Sequence, residues 1–205
     1  MKAGNSLYSL VFFLVLQAGC LAQDQQPYLV ETFDSNDQSW PFIGNGDGYN
    51  ISIADGHLVM DGNRTAIHSY KKIAVTEETD FAVYGKMIFL EGDHLGWMGL
   101  RFMMSEQADK YCSFVFNNDK GFLVAVNKGK KYEVLRQSKS LVVKPYDYNS
   151  LTVIKSAYTY KFFINDKQVH EEKIKSFFGP LVGDITNQNM KMQVDEFQVY
   201  DPKSG

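Results

Sequence analysis

The sequence is poor in cysteine, with only Cys20 and Cys112 among its 205 residues. Cys20 lies in a segment that we expect to be removed on export, so the mature chain keeps one cysteine and forms no intramolecular disulfide. Packing must therefore stabilise the domain. Cys112 falls on the apolar face of its run, beside Phe114 and Phe116, which indicates a buried, unreactive thiol rather than a nucleophile.

Strongly basic segments and common catalytic motifs are also missing. The formal net charge is −3, and the most basic stretch, NKGKKYEVLRQSKS at 127–140, is interrupted by apolar residues. Nucleic acid is therefore not an expected partner. There is no G-x-S-x-G elbow, H-E-x-x-H pair, phosphate-binding glycine loop or cysteine-rich metal spacing. The histidines are scattered, which argues against a zinc site; they are His57, His68, His94 and His170.

The N-terminus carries an apolar run that is too short to be a typical membrane span. Lys2 precedes SLYSLVFFLVLQAG at 6–19, a pattern that predicts a secretory signal peptide over 1–22. Cleavage before Gln23 leaves one domain, 23–205, with no transmembrane segment, located outside the cell or in the periplasm. LQAGC resembles a bacterial lipobox with its leucine one place too far upstream, so a lipid anchor at Cys20 stays the alternative.

From Pro27 onward the apolar residues alternate, with turn residues every eight to twelve positions, as in an all-β sandwich or barrel. Turn sequences such as ADGH at 54–57 and INDKQ at 164–168 predict hairpins, hence antiparallel pairing. Strands that alternate in this way bury one face against a second sheet, which predicts an antiparallel two-sheet sandwich. The predicted strands are about 28–33, 49–54, 57–61, 66–73, 80–90, 96–104, 110–117, 121–127, 130–136, 149–155, 158–164, 167–172, 180–186 and 190–200.

The order of several segments resembles the concanavalin A-like lectin/glucanase superfamily, especially its secreted LamG-like and 3-keto-disaccharide hydrolase-like domains. The segments are ETFDSNDQSW, ISIADGHLVMDG, DFAVYGKMIFLEGDHLGWMGLRFMMSEQADKYCSFVF, SLTVIKSAYTYKFFINDKQV, GPLVGDI and VDEFQVYD. Together they span almost the whole mature chain. The resemblance implies a jelly-roll sandwich with a curved sheet whose concave face often holds carbohydrate, although fold alone does not establish function.

The stretch GWMGLRFMMSEQADKYCSFVFN at 96–117 predicts which face would hold such a ligand. Residues two apart share a face, so Met98, Leu100, Phe102 and Met104 lie opposite Trp97, Gly99, Arg101 and Met103. Sugars are held by aromatic rings against their C–H faces and by polar groups on their hydroxyls. The candidate contact residues are Trp97, Arg101, Tyr111, Ser113 and Asn117. Tyr84, Lys86, His68 and Tyr70 extend this surface if their strands share the sheet.

These residues favour a non-catalytic, lectin-like monomer that binds carbohydrate or a glycosylated surface without a cofactor. The competing interpretation is an ordinary amphipathic strand with Trp97 packed under a loop. Two further functions stay open, an enzyme acting on a sugar derivative and a structural or adhesion module. Laminarinase-like relatives carry E-x-D-x-x-E, whereas EGDHLG here supplies only Glu91 and Asp93, with Gly96 in the third place. The two-carboxylate geometry of glycoside hydrolysis is therefore incomplete.

A structural calcium site is a further hypothesis. FDSNDQSW gathers the oxygen ligands Asp34, Asn36 and Asp37, and Asp195 joins them if the terminal strands pair. An Asx-rich turn without an ion is the favoured alternative. Two sequons, at Asn50 and Asn63, place both asparagines on the surface if the chain follows a eukaryotic secretory route.

Overall fold

The computed structural model describes residues 28–35, 40, 42–44 and 48–203. Within these residues there are fifteen strands and no helix. The strands are β1 Leu29–Glu31, β2 Phe42–Gly44, β3 Asn50–Ala54, β4 His57–Asp61, β5 Ile67–Lys72, β6 Phe81–Gly92, β7 Met98–Met104, β8 Lys110–Phe116, β9 Gly121–Lys128, β10 Tyr132–Lys139, β11 Asn149–Ser156, β12 Thr159–Ile164, β13 Lys167–Lys173, β14 Leu181–Thr186 and β15 Met190–Tyr200. The proposed signal peptide, Cys20, Asn36 and Asp37 lie outside the described residues.

The strands form two antiparallel sheets. Sheet A has the order β13-β12-β11-β6-β15-β4-β3, and β1 also pairs with β15. Sheet B has the order β10-β9-β8-β7-β14-β5-β2. The predicted antiparallel two-sheet sandwich is confirmed. In the described part of the chain, no helix is long and apolar enough to cross a membrane.

Each predicted strand matches an observed one, with ends that agree within three residues. The sequence missed β2, Phe42–Gly44, which pairs with β5 at the end of sheet B. A strand of three residues is too short to show the period-two alternation by which the other strands were recognised. Its pairing depends instead on the neighbouring strand.

Aromatic residues fill the space between the sheets. Phe162 on β12 of sheet A packs edge-on against Phe114 on β8 of sheet B, with ring centroids 5.2 Å apart. It also approaches Phe102 on β7, at 6.3 Å. Cys112 is fully buried in this same core, and burial raises the pKa of its thiol. The prediction that Cys112 is buried is confirmed.

Strict alternation fails at Met103. It was predicted on the outer face with Arg101, yet it is buried in the core at 1% exposure. The backbone of Met103 is left-handed, with φ 51°, and the ladder to β14 changes register between Leu181 and Gly183. This bulge turns Met103 inward, where the Tyr160 hydroxyl donates to its Sδ at 2.8 Å.

Candidate functional site

A cavity of about 170 Å³ lies on the outer face of sheet B, away from the core. It is called the sheet B cavity below. Four of the predicted contact residues, Trp97, Arg101, Tyr111 and Ser113, meet there. The complete lining is Trp97, Arg101, Tyr111, Ser113, Val115, Leu123, Tyr132, Ile185 and Asn187. The structure thus brings together residues from five strands of one sheet and the segments beside them.

Aliphatic side chains lie beneath the cavity. Val115, Leu123, Ala125 and Ile185 are buried in a cluster that is separate from the main core, and the partly buried Trp97 packs against it. The Trp97 carbonyl also accepts the backbone N–H of Asn187 at 3.0 Å. The indole is therefore held in place by the sheet while part of it faces the cavity. It is not sealed in the interior.

Arg101 lies on β7 and is held by uncharged neighbours. Its Cζ is 3.9 Å from the centre of the Tyr111 ring, a cation–π arrangement. One Nη donates to the Tyr111 hydroxyl at 3.1 Å. The other lies 3.3 Å from Nδ1 of His68 on β5. His68, which the sequence proposed conditionally, therefore belongs to this site, and its ring lies 6.5 Å from that of Tyr70.

Gly183 lies on β14, between the strands that carry Arg101 and His68. It is the cross-strand partner of Arg101, and β14 lies between β7 and β5. A Cβ at this position would come 1.9 Å from the backbone oxygen of Ser69 on β5. The absence of a side chain therefore allows the backbones of β14 and β5 to approach closely, which a glycine inside a strand can signal.

His68 is uncharged at neutral pH. Burial, reinforced by the charge of Arg101, lowers the pKa of His68 to about 4. Because the guanidinium is always a donor, Nδ1 must offer its lone pair, which leaves the proton on Nε2. His68 thus supplies a neutral hydrogen-bonding group beside Arg101, the one cation in the described part of the cavity lining.

Three residues that the sequence proposed for the contact surface lie away from the sheet B cavity. Asn117 is in the β8–β9 turn, where its Oδ1 accepts the Gly121 N–H at 2.7 Å and its Nδ2 donates to the Leu95 carbonyl. Asn117 therefore shapes a turn. Tyr84 and Lys86 are on β6, which belongs to sheet A, so the condition for extending the surface through them is not met.

The cavity also contains residues that the sequence did not suggest. Tyr132 comes from β10, and Asn187 follows β14. Burial raises the pKa of Tyr132, and the neighbouring Ser113 acts in the opposite direction. Their positions depend on long-range strand pairing, so alternation within one hairpin gives no sign of them.

The carboxylates considered for catalysis lie elsewhere. Glu91 is exposed near the end of β6, and Asp93 is in the turn that follows. There the Asp93 Oδ1 accepts the N–H of Leu95 at 2.9 Å. The sheet B cavity has no Asp or Glu in its described lining, so the paired carboxylates of glycoside hydrolysis do not meet there.

Asp34 and Asp195 line one shallow depression beside the β3–β4 turn of sheet A. The pairing of β1 with β15 that the calcium hypothesis required is present. Asp195, however, is ion-paired with Lys86 and lies 3.1 Å from His57 Nδ1. Among the described residues no three acidic, histidine or cysteine side chains are arranged to hold a metal. With Asn36 and Asp37 outside this part of the chain, calcium stays a prediction.

No family model and no curated protein sequence matches the chain. Solved structures do. The carbohydrate-binding module CBM66 from Bacillus subtilis has a TM-score of 0.61 at 10% identity, over 78% of this chain and 94% of that one. The endo-β-1,3-glucanase from Pyrococcus furiosus has a TM-score of 0.64 at 13% identity, and the match covers 86% of this chain and 94% of the glucanase. A B. subtilis protein of unknown function with a galectin-like fold has a TM-score of 0.64 at 15% identity, and the match covers 85% of this chain and 96% of that protein.

These structural neighbours share the fold of this chain. All three are matched over nearly their whole length, and the resemblance found in the sequence is confirmed at the level of fold. The chain folds as an antiparallel two-sheet jelly-roll sandwich.

Proposed function

We propose that the chain is an exported carbohydrate-binding module that holds a glycan in the sheet B cavity. The observation that carries the proposal is the meeting of a partly exposed indole with a guanidinium and hydroxyl groups in one concavity. Sugar rings have an apolar C–H face and a polar edge. A binding site for them needs an aromatic plane and hydrogen-bonding groups around it.

The arrangement around Trp97 meets both needs. The indole rests on Val115, Leu123, Ala125 and Ile185, which fix its orientation and reduce the entropy lost when a ligand binds. Around it stand hydroxyl, amide and guanidinium groups, from Ser113, Tyr111, Tyr132, Asn187 and Arg101. Polar groups in a mainly apolar concavity orient a ligand and provide its specificity.

The volume of the cavity sets the size of the bound unit. At about 170 Å³ it is smaller than the roughly 300–1,000 Å³ pockets that enclose drug-sized ligands. It suits one sugar ring, such as the terminal or branching unit of a larger glycan. The rest of the glycan would extend over the face of sheet B.

Two further facts support the proposal. CBM66 from B. subtilis is a carbohydrate-binding module, and the P. furiosus neighbour is a glucanase, so this fold presents sugar sites in other proteins. At 10% and 13% identity the fold does not name the ligand. Export through the leader at 1–22 would bring the domain to polysaccharides and glycosylated surfaces.

A glycan array tests the proposal, with wild-type protein beside Trp97→Ala. Tyr158→Ala is the matched control, because Tyr158 is a 48% exposed aromatic in the hairpin between β11 and β12 of sheet A. We expect wild type and Tyr158→Ala to bind the same glycans. Trp97→Ala should bind them about tenfold more weakly or worse, as expected when a central aromatic contact is removed.

Thermal unfolding of the three proteins provides the folding control, since Trp97 also packs against the apolar cluster. Equal binding by wild type and a folded Trp97→Ala would contradict the proposed site. The absence of binding to any glycan would contradict the function and favour a structural or adhesion module.

A further inference from the structure

Among the described residues that line the sheet B cavity, Arg101 is the only charged side chain, and none of them is a counter-ion for it. None of the ion pairs among the described residues includes it. Its two side-chain partners are His68 and Tyr111, both of them neutral groups at pH 7. Burial lowers the pKa of Arg101, but a guanidinium stays charged in proteins.

The guanidinium also has hydrogen-bonding capacity left over. It carries five N–H donors, and two of them are directed at His68 Nδ1 and the Tyr111 hydroxyl. The Nε is buried without a partner among the described residues. At least part of Arg101 remains accessible, because the residue is intermediate in exposure. The terminal nitrogens therefore keep donors for a ligand.

A partly buried cation without an anion is costly, because burial removes much of its hydration. An anionic ligand would offset that cost, and the planar guanidinium matches the geometry of a carboxylate or sulfate. We infer that the sheet B cavity selects an acidic sugar, one ring bearing a carboxylate or sulfate that pairs with Arg101 while its C–H face lies against Trp97. This inference rests on the proposed function and names its ligand class.

The neighbours of Arg101 fit this role. The Tyr111 ring lies against the guanidinium, and His68 accepts a hydrogen bond from one of its nitrogens. The Arg101 side chain is therefore already oriented before a ligand binds. Because His68 accepts through Nδ1, it positions Arg101 without neutralising it. The lining described contains no Asp or Glu that would repel an acidic sugar.

The test uses matched pairs of immobilised glycans, one member acidic and the other neutral: glucuronides beside glucosides, sialosides beside their carboxyl methyl esters, and sulfated beside unsulfated oligosaccharides. Wild type, Trp97→Ala, Arg101→Gln and Arg101→Lys are compared. We expect wild type to bind at least one acidic member about tenfold or more above its neutral counterpart. Arg101→Gln should lose that preference, and Arg101→Lys should keep part of it, because the charge remains while the planar fork is lost.

Salt dependence of wild-type binding gives a second readout that needs no variant. The signal for the acidic member should fall several-fold between low and physiological salt, because a paired charge is screened. Equal binding of neutral and acidic members, unchanged in Arg101→Gln but lost in Trp97→Ala, would overturn this inference and leave the proposed function standing. Acidic binding that survives in Arg101→Gln and resists salt would also overturn it. No binding to any member would overturn both.

Discussion

Replacing Asp184 with asparagine should raise the free energy of unfolding at pH 7, although no designed contact is added. Asp184 is on β14 with 0% exposure, and its carboxyl faces the interior near Gly85 of sheet A. Neither carboxyl oxygen has a hydrogen-bond partner among the described residues. Burial therefore raises the pKa of Asp184 well above its usual value.

The sign of the effect follows from proton binding. Where the folded protein keeps Asp184 protonated and the unfolded chain ionises it, folding binds a proton. Stability is then fully present below the unfolded pKa of about 3.9 and falls as the pH rises, by up to about 1.4 kcal/mol per pH unit, until the folded pKa is reached. Asparagine does not titrate, so the free energy of unfolding of the variant does not fall with pH for this reason.

Urea unfolding at pH 7 and at about pH 3 measures the difference between wild type and Asp184→Asn. The variant should be the more stable protein at pH 7, and its advantage should shrink or disappear at the lower pH. Asp119→Asn is the control, since Asp119 is exposed and paired with Lys139, and exposed ion pairs contribute little to stability. A variant that is less stable than wild type at pH 7 would show that the carboxylate is stabilised inside the sandwich.

Replacing Phe162 with alanine should lower the free energy of unfolding by about 3–5 kcal/mol, the usual cost of removing a buried phenylalanine. Phe162 is fully buried and packs against Phe102 and Phe114 of the opposite sheet. Its loss leaves a cavity where the two sheets meet. Few single substitutions in this core would remove as many aromatic contacts at once.

Phe163→Ala is the matched control, one residue further along the same strand. Phe163 is partly exposed, because successive side chains on a strand point to opposite faces. Its replacement should cost about 1 kcal/mol, in line with surface or half-buried sites. Equal destabilisation by the two variants in urea unfolding would contradict the assignment of faces on β12.

The sequence predicts the sandwich well because its signals are local. Alternation and turn residues identify strands without knowledge of their partners. The same reasoning groups Trp97 and Arg101 with Tyr111 and Ser113, because β7 and β8 form one hairpin in which Arg101 is directly opposite Ser113. That part of the candidate site could be predicted from a single stretch of sequence.

The remainder depends on long-range pairing and on departures from alternation. Tyr132 lines the sheet B cavity because β10 belongs to sheet B, whereas Tyr84 does not line it because β6 belongs to sheet A. Neither fact is visible in local periodicity. Met103 turns inward at a bulge, which depends on the register with β14. Asp184 breaks the rule that interior positions are apolar, so a pattern of apolar residues cannot place it.

The claim that a sugar binds beside Trp97 is tested most directly by nuclear magnetic resonance. The chain has two tryptophans, and their indole N–H signals are separate reporters. Trp40 is in the core at 3% exposure, with its Nε1 donating to Glu31. On titration with the glycan that binds best on the array, the Trp97 indole signal should shift and that of Trp40 should not. An unmoved Trp97 signal, with shifts confined to sheet A, would contradict the account.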